Sequence, residues 1–128
     1  MAKRGYRGTT TYVQVLSELV TAAQYRGATT YQDIAVIMGI ATWGNAMGAE
    51  TGWILGEISE DEVAAGRPML SAVAVGVSGK PGAGFYTLAK HIGRMGPSED
   101  EAAFWARERE AVYAAWKRRI RAKSPKDA

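Results

Sequence analysis

At 128 residues, 47% of them hydrophobic, the chain is long enough for one domain with a real core and too apolar to be a disordered chain. It has no cysteine, which excludes disulfides, thiolate zinc sites and a cysteine nucleophile. Net charge is only +3, yet the cations gather at the ends: Lys3, Arg4 and Arg7 at the start, Lys117, Arg118, Arg119, Arg121, Lys123 and Lys126 at the finish.

Basic ends on a nearly neutral body can grip phosphates. They can equally serve solubility, with the last cluster complementing a helix C-terminus. No apolar run reaches the roughly 18 residues of a membrane span, and Met1-Ala2-Lys3-Arg4 is not followed by a signal-peptide core. The expectation is a soluble cytoplasmic protein with no membrane partner.

Residues 1–8 read as a flexible basic tail, 9–122 as a single domain and 123–128 as a second basic tail. A first helix is expected from about Thr11 to Tyr25, with Val13, Leu16, Leu19, Val20 and Ala23 on one apolar face and Gly27 as its stop. Thr30 has the character of an N-cap, with Asp33 at the capping-box position. Ile34, Ala35, Ile37 and Met38 give that second helix its buried side, and Gly39 closes it.

A third helix, roughly Trp43 to Ile58, carries Gly44, Gly48, Gly52 and Gly56 at intervals of four, close to one line on its surface. Each glycine costs up to about 1 kcal/mol against alanine, so something should offset it. Close packing against another element, close approach to a ligand or nucleic-acid backbone, and a helix break near Gly52 are the three readings. Glu57 to Gly66 then reads as a helix end and turn.

The valine-rich run Met69 to Val77 is the best strand in the chain, entered through Arg67-Pro68. A loop follows, Gly79-Lys80-Pro81-Gly82-Ala83-Gly84. Phe85 to Ile92 reads as a short helix closed by Gly93; a strand at Phe85-Tyr86-Thr87, turning the loop into a hairpin wing, is the alternative. In the last helix Ser98 is the expected N-cap, with Glu101 at the capping-box position. Phe104, Trp105, Val112, Tyr113, Trp116 and Ile120 form its apolar stripe. The fold class is therefore α+β, mainly helical and winged-helix-like, with a small β-sheet and a long C-terminal helix.

Nothing in the chain forms a catalytic cluster. His91 stands between Lys90 and Ile92, with no metal ligands near it in sequence. Ser71 lies inside the strand pattern without a nucleophile elbow. Glu60-Asp61-Glu62 points its acids in different directions, as a solvated face does rather than a cation site. The loop lacks both the Walker ending and dinucleotide spacing. Gly79, Lys80, Gly82 and Gly84 can still cradle an anion ahead of a helix N-terminus, or present Lys80 to a DNA backbone, or form a plain turn. Arg67 at the strand entry can pair with a phosphate or with the acids at 57–62.

Thr30-Tyr31-Gln32-Asp33-Ile34-Ala35, ending in Met38-Gly39, is similar to the Thr-Tyr-Gly-x-hydrophobic-Ala stretch of alkylguanine-DNA alkyltransferases and alkyltransferase-like proteins. Gly44-Asn45-Ala46-Met47-Gly48 resembles that family's recognition-helix start, Ala-Arg-Ala-Val-Gly. Pro68-Met69-Leu70-Ser71 falls where the family has Pro-Cys-His-Arg. The resemblance spans the middle half of the chain and implies a helix offered to DNA. Met69 at the acceptor position excludes alkyl transfer, because a thioether cannot act as that thiolate. Leu70 stands at the histidine position, and Asn45 where an arginine fills the space of a flipped base. The combination of Arg67-Pro68-Met69-Leu70-Ser71-Ala72-Val73 with Pro81-Gly82-Ala83-Gly84-Phe85 also resembles small uncharacterised bacterial and phage proteins.

The leading expectation is a non-enzymatic protein that binds duplex DNA without cofactor or metal. Its contacts would be Arg4, Arg7, Tyr31, Asn45, Arg67, Lys80, Arg94, Arg118 and Arg119, with Glu50 as a further polar contact. The third helix carries no lysine or arginine, so backbone binding is expected rather than base reading. A protein-interaction module using an apolar patch at Trp43, Met47 or Trp53 is the alternative. A small-ligand or nucleotide binder, with a pocket beside Gly82 and Gly84, is the third class.

Overall fold

The computed structural model describes residues 5–118. Expectations for Arg4, Arg119, Ile120 and the tail 123–128 lie outside them. The chain is mainly helical with a two-stranded parallel sheet: α1 (Thr10–Gln24), β1 (Thr29–Thr30), α2 (Tyr31–Met38), α3 (Gly44–Ala64), a 3-10 turn (Leu70–Val73), β2 (Ala74–Val75), α4 (Ala83–His91) and α5 (Glu101–Trp116).

Local chemistry sets the helix ends. Thr9 caps α1 by accepting the Tyr12 N–H, and Thr30 caps α2 by accepting the Asp33 N–H at 3.0 Å. Gly39 ends α2 in the left-handed region at φ 74, as a C-terminal glycine does. Leu19 and Ala23 of the expected α1 stripe are buried and Leu16 and Val20 pack against the core; Val15 joins them, and Val13 faces outward.

Helix α3 passes Gly52 unbroken and runs six residues past its expected end at Ile58. The acids there do not end it, because Glu57 and Glu62 are buried with partners for their charge. Helix α5 starts later than expected. Asp100, not Ser98, caps it, its side chain accepting the Ala103 N–H at 2.8 Å. Glu99 is spent on the Gly96 N–H and on Arg107.

The expected strand Met69 to Val77 shrinks to Ala74–Val75, paired in parallel with β1 (Thr29 opposite Ala74, Thr30 opposite Val75). Residues Leu70–Val73 wind into the 3-10 turn instead. Side chains of neighbouring helices take the backbone groups a sheet would otherwise satisfy. Glu108 of α5 accepts the Met69 N–H, Ser59 of α3 accepts the Ser71 N–H, and Trp105 Nε1 donates to the Ala72 carbonyl. As far as Val75 the run therefore reports burial on all sides, which periodicity cannot separate from extension, while Val77 is exposed. Phe85 to Thr87 belong to α4, so no hairpin wing forms there.

The core gathers around this turn. Leu19, Ile34, Ile54, Ile58, Leu70, Val73, Phe104 and Val112 are fully buried in one cluster drawn from α1, α2, α3, α5 and the turn. Residues 5–8, expected as part of a flexible tail, pack on α3.

Candidate functional site

Three of the five described cations expected at phosphates are already committed. Arg7 pairs with Asp61 and Glu60 at 3.0 Å each, and with Glu57. Arg67 pairs with Glu62 and lies over the Trp116 ring; of its two sequence readings, the acid partner is the one observed. Arg94 makes a two-pronged pair with the buried Glu108, at 2.9 and 2.7 Å. Glu60-Asp61-Glu62 is thus an arginine-paired run, and among the described residues no three acids or histidines gather as metal ligands. Asn45, Lys80, Lys90, His91 and Arg118 are exposed, and Arg118 reaches the Tyr25 hydroxyl at 3.2 Å. The cations expected to form one DNA-facing set are thereby divided between internal ion pairs and separate exposed positions.

The loop before α4 also uses its own amides. The Gly76 N–H donates to the Lys80 carbonyl at 2.9 Å and the Gly79 N–H to the Gly76 carbonyl at 3.0 Å, with Gly79 at φ 79. The Gly82 N–H donates to the Tyr31 hydroxyl at 2.8 Å. Two of the amides expected to cradle an anion are therefore occupied within the protein. Burial raises the Tyr31 hydroxyl above the usual tyrosine value, with the Gly82 amide opposing, so the phenol keeps its proton. Its oxygen accepts from Gly82, which leaves the O–H free to donate elsewhere.

Beside Tyr31 the structure opens into a cavity of about 310 Å³. One wall is the glycine line of α3: Gly48, Gly52 and Gly56, with Met47, Thr51 and Leu55. The facing wall is α4 and its approach, with Gly82, Gly84, Phe85 and Leu88; Ser71 completes the lining with Tyr31. Among the described residues no charged side chain lines it.

The glycines here are not a close-packing device. A Cβ at Gly48 or Gly52 meets nothing within 4 Å, and one at Gly56 meets only Leu88, at 3.9 Å. The α3 glycine line therefore borders open space, with neither the close packing nor the helix break among its three readings. Its spacing was legible in sequence; the cavity was not, because the opposite wall comes from residues some thirty positions away. The sequence pattern puts Ser71 inside a strand, and no sequence signal ties it to Ser59, which the fold places against it at 2.7 Å.

Trp43 stands 73% exposed at the N-terminal end of α3, and Val36 on α2 is also exposed. Among the described residues no helix is long and apolar enough to cross a membrane. No protein-family model, no curated protein and no solved structure matches the chain significantly.

Proposed function

We propose that this chain is a non-enzymatic binding domain that receives a compact, uncharged, largely apolar group in the cavity between α3 and α4. One observation carries the reading: Gly48, Gly52 and Gly56 hold open a volume that alanines would begin to fill. Three helix-interior glycines cost up to about 1 kcal/mol each, and packing does not offset them. A cavity of about 310 Å³ with neutral walls lies at the small end of ligand sites.

The resemblance to alkyltransferase-type DNA-binding domains makes a nucleobase on DNA the proposed source of that group, and kinship to the winged helix the proposed fold relationship. The order of α2, a turn and α3 supports that kinship, with the loop and α4 where a wing would stand. Because Arg7, Arg67 and Arg94 are held by carboxylates, phosphate contact falls to Lys80, Arg118 and the cations outside the described residues. DNA affinity is then modest and steeply salt-sensitive.

The test is fluorescence anisotropy of a labelled duplex at two salt concentrations. Lys80→Ala weakens binding and lowers the salt slope by about 0.9, the value of one phosphate contact. Gly52→Leu, which fills the cavity, weakens binding without changing the slope. No binding at low salt eliminates DNA as the source of the ligand.

The exposure of Trp43 favours a second reading, protein contact through the start of α3. Under that reading Trp43→Ala abolishes capture of the partner and leaves DNA binding intact.

A further inference from the structure

Two serines sit where the apolar core meets the cavity. Ser59, on α3, is 0% exposed, and Ser71, on the 3-10 turn, is 6% exposed. Their hydroxyl oxygens are 2.7 Å apart, and Ser59 Oγ also accepts the Ser71 N–H at 3.1 Å. Ser59 is thus bonded twice to one residue, which fixes how Ser71 is held. Ser71 lines the cavity and Ser59 does not.

A serine hydroxyl offers one donor and two acceptor positions. The bond to Ser59 uses one position on Ser71, leaving the others for a ligand. Because a hydroxyl–hydroxyl bond can run in either direction, Ser71 can offer its proton or a second lone pair. The other hydroxyls on the lining are differently engaged. Thr51 Oγ1 donates to the Met47 carbonyl within its own helix, and the Tyr31 oxygen takes the Gly82 N–H at the loop while its O–H stays free to donate. Ser71 is therefore a buried polar group in a wall that is otherwise mostly apolar, where an unmatched partner is penalised most.

We infer that Ser71, oriented by Ser59, selects ligands with a polar ring edge, such as a ring nitrogen or carbonyl, over hydrocarbons of the same shape. The inference rests on the cavity being the binding site. Ser59 is a positioning residue and acts only through Ser71.

The experiment titrates two small neutral rings of matched size, benzimidazole and indene, into the isotope-labelled protein, and follows amide shifts at Gly52, Gly56 and Ser71. The wild type binds both, benzimidazole about tenfold tighter, the worth of one neutral hydrogen bond. Ser71→Ala narrows that preference, with indene affinity unchanged, and what remains falls to the Tyr31 O–H. Ser59→Ala keeps the Ser71 hydroxyl and narrows the preference, a change in ratio that loss of stability alone does not produce. If Ser71→Ala does not fold, Ser59→Ala carries the test, and an undiminished preference there overturns the inference. An undiminished preference in folded Ser71→Ala overturns it as well, while leaving the cavity as a binding site. Failure of both rings to bind the wild type overturns the inference together with the cavity reading.

Discussion

Helix α3 presents two opposite faces. On one, Glu50, Glu57, Glu60 and Asp61 are tied to the N-terminal segment. The Tyr6 N–H donates to Glu57 at 2.7 Å, the Tyr6 hydroxyl to Glu50 at 2.5 Å and the Tyr12 hydroxyl to Asp61 at 2.5 Å, while Arg7 spans Glu57, Glu60 and Asp61. About half a turn away around the helix, Gly48 and Gly52 face empty space. Glycine serves contact on one side and room on the other. A Cβ at Gly5 would lie 1.7 Å from Glu57 Oε2, so only glycine fits there while that carboxylate keeps its bonds. At Gly52 any small residue fits, and what glycine preserves is volume.

Disrupting a tied carboxylate should give the largest effect. Glu108, on α5, is more buried than any of those on α3, 2% exposed, and holds both Arg94 and the Met69 N–H. Removing it leaves the Met69 amide buried without its acceptor and takes the partner from Arg94, itself 35% exposed. Glu108→Ala is expected to lose about 1–3 kcal/mol in urea unfolding, with Glu108→Gln losing less because it can still accept the amide. A loss under about 1 kcal/mol would show that the pair is not the anchor of the 3-10 turn.

Next comes the contrast between the two kinds of glycine. Gly5→Ala pushes the end of Glu57 away and breaks its bond to Tyr6, at a cost of roughly 1–2 kcal/mol. Hydrogen exchange at the Tyr6 amide should speed up accordingly. Gly52→Ala should do the opposite and stabilise the protein by up to about 1 kcal/mol, through helix propensity alone. Opposite signs in thermal melts sharpen the comparison, and equal signs break it.

The smallest effect is one of pH. Burial, then the hydrogen bond to Glu50, raise Tyr6 from 10.0 to about 12. The neutral phenol is favoured in the folded state, so its contribution is fully present below pH 10 and is lost as pH rises towards 12. Tyr12 is raised as well, first by burial and then by Asp61. Unfolding stability should therefore fall across this alkaline window, and less steeply in Tyr6→Phe. An unchanged slope in that variant would mean that the Tyr6 hydroxyl is not held by α3.

Several features were legible before folding. Thr30 as a cap, Gly39 as a stop, the glycine line of α3 and the helix after the loop all follow from side-chain chemistry acting within one turn. The misses share a cause. The strand at 69–77 and the Ser98 cap depended on which distant group would take a given backbone amide or carboxylate. Glu108, Ser59 and Arg107 made those choices. The two-residue β1 is too short for any periodicity to reveal.

By itself the sequence determined a mainly helical chain without thiol chemistry, its cap residues and the spacing of its α3 glycines, because these depend on composition and on neighbours within four positions. Only the tertiary structure decided that Arg7, Arg67 and Arg94 meet carboxylates and that the glycine line borders a cavity beside Tyr31 and Ser71. Charge pairing and empty volume are properties of two surfaces brought together, and neither is encoded by the residues of one surface alone.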